Sequence, residues 1–176
     1  MPIFALLALL YPAVASAQSP PQYHVEIVVF EHLSASNDGE VWQETTTVPD
    51  WSNAVRIDSD SGYRQVSGRH LAGVQAAMRQ SAYYRPLVYK TWQQPGLTPS
   101  RARPVLLPTE EEKVQGTVTI RSSNLLHVDL DLYYSTGDGF GNNIQLQESR
   151  RIKLNEMHYF DHPLYGAIVR VSRAGD

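Results

Sequence analysis

Between Val114 and Tyr134 the chain alternates apolar and polar residues twice, with a polar break between the two runs. Val114, Gly116, Val118 and Ile120 alternate with Gln115, Thr117, Thr119 and Arg121. Leu126, Val128, Leu130, Leu132 and Tyr134 alternate with His127, Asp129, Asp131 and Tyr133. A period of two marks a strand with one dry face and one wet face. The break, Arg121 to Asn124, is rich in turn formers, so the pair predicts an antiparallel hairpin. Its dry face demands a second layer.

The remaining elements follow from the same reasoning. Tyr23 to Phe30 alternates Val25, Ile27 and Val29 with His24, Glu26 and Val28, and predicts a strand. From Ser34 to Ser67 the pattern dissolves into Ser, Asn, Asp, Gly and Thr, a long connection that Trp42, Trp51 and Tyr63 are expected to pin to the body. Arg69 to Ser81 carries Leu71, Val74, Ala77 and Met78 as one apolar stripe and predicts the main helix, with Ser67 as its N-cap. Tyr84 to Trp92 reads as a second strand, with Pro86 near its start as on an edge. Gln93 to Thr109, with four prolines, reads as an extended loop, and Thr136 to Asn143 as a Gly- and Asn-rich one. In the strand Ile144 to Leu154, Glu148 and Arg150 share a face with Ile144, Leu146, Ile152 and Leu154. Either a bulge resets the register there, or an ion pair faces inward at the sheet margin. Leu164 to Val171 closes the sheet. The sum is an α+β fold: a single two-layer domain, a mostly antiparallel sheet of about six strands with one main helix on one face.

The first 17 residues are a different material. Ile3 to Val14 is almost wholly apolar, too short to span a bilayer, and Ala15-Ser-Ala17 fits a small-x-small cleavage pattern. A secretory signal peptide over residues 1–17 is expected, and a folded domain over 18–176; Pro12 speaks against a first core helix there. The chain has no cysteine, hence no disulfide and no lipidated cysteine after the signal. No later run reaches the ~20 apolar residues of a membrane-spanning helix. A net charge of −3 does not suggest nucleic acid as a partner. These features together predict a soluble protein of the bacterial periplasm.

Most catalytic chemistries lack their parts. There is no Gly-x-Ser-x-Gly elbow and no thiol nucleophile. Asp129 and Asp131 read as a solvated strand face, and Glu110 to Glu112 as a solubilising run. His158 and His162, with Glu156 and Asp161 near them, have zinc-binding residue types, but Pro163 works against the helix that would put both imidazoles on one metal. A compact corner in which Asp161 and the histidines bond to backbone is the alternative reading of that stretch. What remains is a set of flat and basic groups: Trp42, Trp51, Trp92, Tyr83, Tyr84 and Tyr89, with Arg150, Arg151 and Lys153. Aromatic faces take the apolar faces of sugars, and guanidinium groups take carboxylates in bidentate fashion.

Several stretches resemble a known family. Tyr23 to Glu31 resembles its opening strand, and Tyr84-Arg-Pro-Leu with Trp92-Gln-Gln-Pro95 resembles a second segment. Gly116 to Ile120 and Leu126 to Leu132 resemble its central hairpin. Glu148-Ser-Arg-Arg-Ile152 and His158-Tyr-Phe-Asp-His-Pro-Leu-Tyr-Gly166 resemble its most distinctive motif. The family is that of the CsiV-like peptidoglycan-binding proteins. The resemblance implies a periplasmic, non-enzymatic protein without a cofactor that binds peptidoglycan. It further implies support of cell-wall synthesis, by helping a lipoprotein activator stimulate a bifunctional penicillin-binding synthase. The family offers no catalytic residues to carry over. Residue chemistry makes Trp92, Arg150, Arg151, His158, Tyr159, Asp161 and His162 the candidate peptidoglycan contacts, and no metal ligands are assigned. The alternative is a protein–protein adaptor of the envelope machinery, using the loops 34–67 and 93–109.

Overall fold

The computed structural model describes residues 19–34, 44–47, 49–58, 62–107, 113–137 and 139–175. The predicted signal peptide, Glu40, Trp42 and Glu110 to Glu112 lie outside the described residues. The elements in chain order are β1 (Gln22–His32), β2 (Glu44–Thr45), β3 (Arg64–Gln65), α1 (Ala72–Arg79), β4 (Tyr84–Pro95), β5 (Val105–Leu107), β6 (Val114–Ser122), β7 (Leu126–Gly137), β8 (Gly139–Ile152), β9 (Met157–Asp161) and β10 (Tyr165–Arg173).

These strands form two five-stranded sheets, not one sheet of about six strands. The first has the order β3-β4-β1-β10-β9, and the second β2-β8-β7-β6-β5. One apolar core joins them: Val25, Ile27 and Val29 of β1 and Ala167, Val169 and Val171 of β10 pack in the same cluster as Val118, Val128, Leu130 and Leu146 of the second sheet. The predicted hairpin is β6–β7, paired from Val114 opposite Tyr134 to Ser122 opposite Leu126. Its dry face rests on the first sheet, because an eight-residue helix is too small to cover it. That helix covers part of the outer face of the first sheet, where Leu71 joins Val28 and Phe30 in a second apolar cluster. β1 is thus buried on both faces, which explains why its polar positions, His24 and Glu26, are also buried.

The helix starts differently from the sequence reading. It spans Ala72–Arg79, and neither Ser67 nor the N-cap residue itself, Leu71, caps it with its own side chain. The cap comes from β1 instead. The buried Glu26 carboxylate accepts hydrogen bonds from the backbone amides of Arg69 (3.2 Å), His70 (3.1 Å) and Leu71 (3.0 Å), and from the Tyr89 hydroxyl (3.2 Å). Burial alone would raise the pKa of this carboxyl; the three amide donors outweigh it and hold the group below its ordinary value of 4.5.

Several predicted loops contain short strands. β5 lies inside the proline-rich 93–109 segment, and its Val105 and Leu107 are fully buried. Its position at a sheet edge tolerates the flanking prolines. Pro86 also sits where the pairing allows it, at the register shift between Val29 and Phe30. The 34–67 connection is pinned at two of the expected points: Tyr63 is buried, and the Trp51 ring packs on Tyr133 at 6.2 Å. Gly116 has φ +149°, and a Cβ there would lie 2.1 Å from the Asp131 carbonyl oxygen. Only glycine lets β6 and β7 approach at that point.

The Glu148–Arg150 irregularity resolves as an inward-facing ion pair. β8 keeps unbroken register with β7 from Asn143 to Ile152, so Glu148 lies opposite Leu130 and Arg150 opposite Val128, on the core side. Arg150 bonds Glu148, donates to the Tyr159 carbonyl at 2.8 Å and stacks its guanidinium 4.8 Å from the Phe160 ring centre. It clips the margin of the second sheet to the edge strand of the first.

Candidate functional site

The outer face of the first sheet is only partly roofed by α1. Past the C-terminal end of the helix, three strands present aromatic side chains to solvent. Register puts His32 of β1 opposite Tyr84 of β4, and Phe30 of β1 opposite Gly166 of β10. Tyr159 and Asp161 of β9 lie opposite Ile168 and Gly166. Phe30 forms the floor: Tyr159 stacks on it at 6.0 Å and 13°, while Tyr84 meets it edge-on at 5.5 Å. His32 stands 5.5 Å from Tyr84, also edge-on. Gly166 makes the stack possible, since a Cβ there would come within 3.1 Å of both the Phe30 and Tyr159 rings. Six large apolar or aromatic residues are exposed among the described residues; Leu33, Tyr83, Tyr84 and Tyr159 are at or next to this end of the strands, Met157 lies further along β9 opposite Arg170, and Leu125 lies in the β6–β7 turn. Exposed apolar groups concentrated at one end of one face mark a binding surface rather than scatter.

Polar groups are interleaved with these rings. The Tyr159 hydroxyl donates to Asp161 Oδ1 at 2.5 Å. Burial, and then the Asp161 carboxylate, push the Tyr159 phenol above its ordinary range, so it remains a donor. The Asp161 side chain is 60% exposed and keeps acceptor capacity for a ligand hydroxyl. His32 is oriented by its Nδ1, which donates to the Pro163 carbonyl at 3.0 Å, and its Nε2 lies 3.5 Å from the Tyr159 hydroxyl. Flat apolar faces edged by a carboxylate and an imidazole suit a ligand that is apolar on its ring face and rich in hydroxyls at its rim.

The family model described as "Peptidoglycan-binding protein, CsiV" matches residues 2–174. The chain belongs to the CsiV family. No curated protein and no solved structure matches it.

The C-terminal stretch from His158 to Gly166 divides between several environments. Tyr159 and Asp161 belong to the aromatic platform. His158 does not: its Nε2 lies 3.2 Å from both the amide and the carbonyl of Lys153, closing the β8–β9 connection. His162 accepts from the Leu164 amide through Nδ1 at 3.3 Å and lies against Tyr165, forming the β9–β10 turn. The stretch is therefore a strand followed by a tight turn, not a single corner. Along an extended strand His158 and His162 stand ~13 Å apart, so they do not form one chelating pair.

Trp92 requires a correction. It has no exposed surface; it lies in the core between the sheets and donates from Nε1 to Gln94 at 2.7 Å, so it offers no face to a sugar. Arg150 is committed to the sheet margin. Arg151 is exposed on the outer face of the second sheet, opposite His127, and so points away from Tyr159 across the whole sandwich. The candidate carboxylates of that face are also engaged: Asp129 accepts from Arg121 at 2.7 Å and Asp131 from Gln145 at 2.7 Å. Phe30 and His32 were not legible as site residues. The outward alternation of β1, continued through Val28, Phe30 and His32, is the signal that points to them.

Proposed function

We propose that this chain is a periplasmic, non-enzymatic peptidoglycan-binding accessory protein that seats a sugar of the glycan on Tyr84 and Tyr159, with Asp161 accepting a ring hydroxyl. The concentration of exposed aromatic surface beside a solvent-accessible carboxylate is the observation that carries the reading. Membership in the CsiV family names the polymer. The N-terminal apolar run ending in Ala15-Ser-Ala17 and the absence of cysteine support an exported, disulfide-free protein. The family resemblance extends the proposal to a role beside a lipoprotein-activated penicillin-binding synthase. Tyrosine faces and a carboxylate that takes a proton donor are binding groups, and no bond-breaking step is assigned to them.

Co-sedimentation with purified sacculi tests the proposal. The mature protein is expected to pellet with sacculi at physiological salt, and to do so without any partner protein. Protein that stays in the supernatant would make wall association indirect and favour the adaptor alternative.

A further inference from the structure

The platform is continuous with a second feature. Beside Tyr84, a cleft of about 230 Å³ opens between the end of α1 and the start of β4, lined by Leu33, Met78, Arg79, Ser81, Arg85 and Pro86. It is smaller than the ~300 Å³ at which pockets for whole drug-sized ligands begin, so it suits a terminal group rather than a further ring. Its charge is opposite to that of the chain as a whole. Arg79 is exposed in the last helical turn, and Arg85 pairs with the buried carboxylate of Glu31. The lining therefore holds two cations and no carboxylate, on a chain of net charge −3. Tyr84 belongs to both features: its ring borders the cleft and meets Phe30 and His32 of the platform.

We propose that this cleft binds a carboxylate of the short peptide carried by the sugar that the platform holds, with Arg79 as its principal contact. The site is then bipartite, and its ligand is an amino sugar bearing an acidic peptide rather than bare glycan. This rests on the platform reading and adds specificity to it. A guanidinium suits a carboxylate because its donors form a planar fork matching the two oxygens. Arg79 carries that role because Arg85 is already paired with Glu31.

Calorimetric titration with two soluble probes tests this: a disaccharide–peptide fragment released from sacculi by a muramidase, and the same glycan stripped of peptide by an amidase. The protein is expected to bind the peptide-bearing fragment about tenfold more tightly than the stripped one. Arg79→Gln, at an exposed position that the fold does not need, is expected to erase that difference while leaving the affinity for stripped glycan unchanged. Equal binding of both probes by the unaltered protein, or an unchanged preference in Arg79→Gln, overturns the cleft assignment and leaves the platform intact. Failure of both probes to bind removes the platform reading and the cleft with it.

Discussion

Replacing Tyr84 and Tyr159 together by alanine is expected to weaken binding to sacculi by more than about tenfold, since stacked aromatic anchors at binding centres are worth ~2 kcal/mol each and 1.4 kcal/mol is a factor of ten. The two rings are 42% and 43% exposed, so their loss removes ligand surface more than core. The fold should survive: Phe30 remains under the helix with Leu71 and Val28, and the inter-sheet core is untouched. Thermal melting followed alongside sedimentation separates the two effects. Arg151→Ala is the matched control. It lies on the opposite face of the sandwich, and its removal is expected to change binding less than twofold, roughly the few tenths of a kcal/mol of a surface substitution. Equal losses in both variants would place the contact elsewhere.

Glu26→Ala is expected to cost about 3 kcal/mol of stability, because a buried donor left without a partner costs ~1–3 kcal/mol and the Leu71 amide is buried, while those of Arg69 and His70 lie at exposed residues. The substitution strands the amides of Arg69, His70 and Leu71 and the Tyr89 hydroxyl at once. An eight-residue helix has little stability of its own, so the roof over Val28 and Phe30 should loosen with it. Glu26→Gln keeps an acceptor oxygen but loses the charge, and should fall between the two. The same group gives a pH dependence. Its folded pKa lies below its unfolded value of 4.5, so the stabilisation is fully present above that value and is lost as pH falls through the lowered folded value. Tyr89, pushed up to about 12 by burial and then by Glu26, adds nothing to this acid limb. Denaturant midpoints measured from pH 7 downward should fall in the unaltered protein, whereas Glu26→Gln should show a shallower acid limb. Parallel curves would show that Glu26 does not supply the linkage.

The alternation of β6, β7 and β1 was legible because each of those strands has an apolar face at strict period two. The division into two sheets was not. β5 offers only Val105, Leu106 and Leu107 between prolines, and β2 and β3 are two residues each, too short for any period. The helix was visible from its stripe, but its cap was not, since Glu26 is 45 residues from Leu71 and the link exists only after β1 packs beneath it. The same separation explains the site. Tyr159 and Asp161 are near neighbours in sequence, so one stretch shows both. Phe30, His32 and Tyr84 join them only through the strand order β4-β1-β10-β9. Trp92 and Arg151 have the chemistry of ligand contacts, but the parity of their strands puts one in the core and the other on the far face.

Backbone amide shifts of the ¹⁵N-labelled protein, followed while the disaccharide–peptide fragment is titrated in, test the platform most directly. Binding on Tyr84 and Tyr159 predicts that the largest shifts fall at residues 30–33, 79–86 and 159–166, three stretches far apart in sequence and joined only in the first sheet. Shifts confined to the Arg121, His127 and Arg151 face of the second sheet would contradict it.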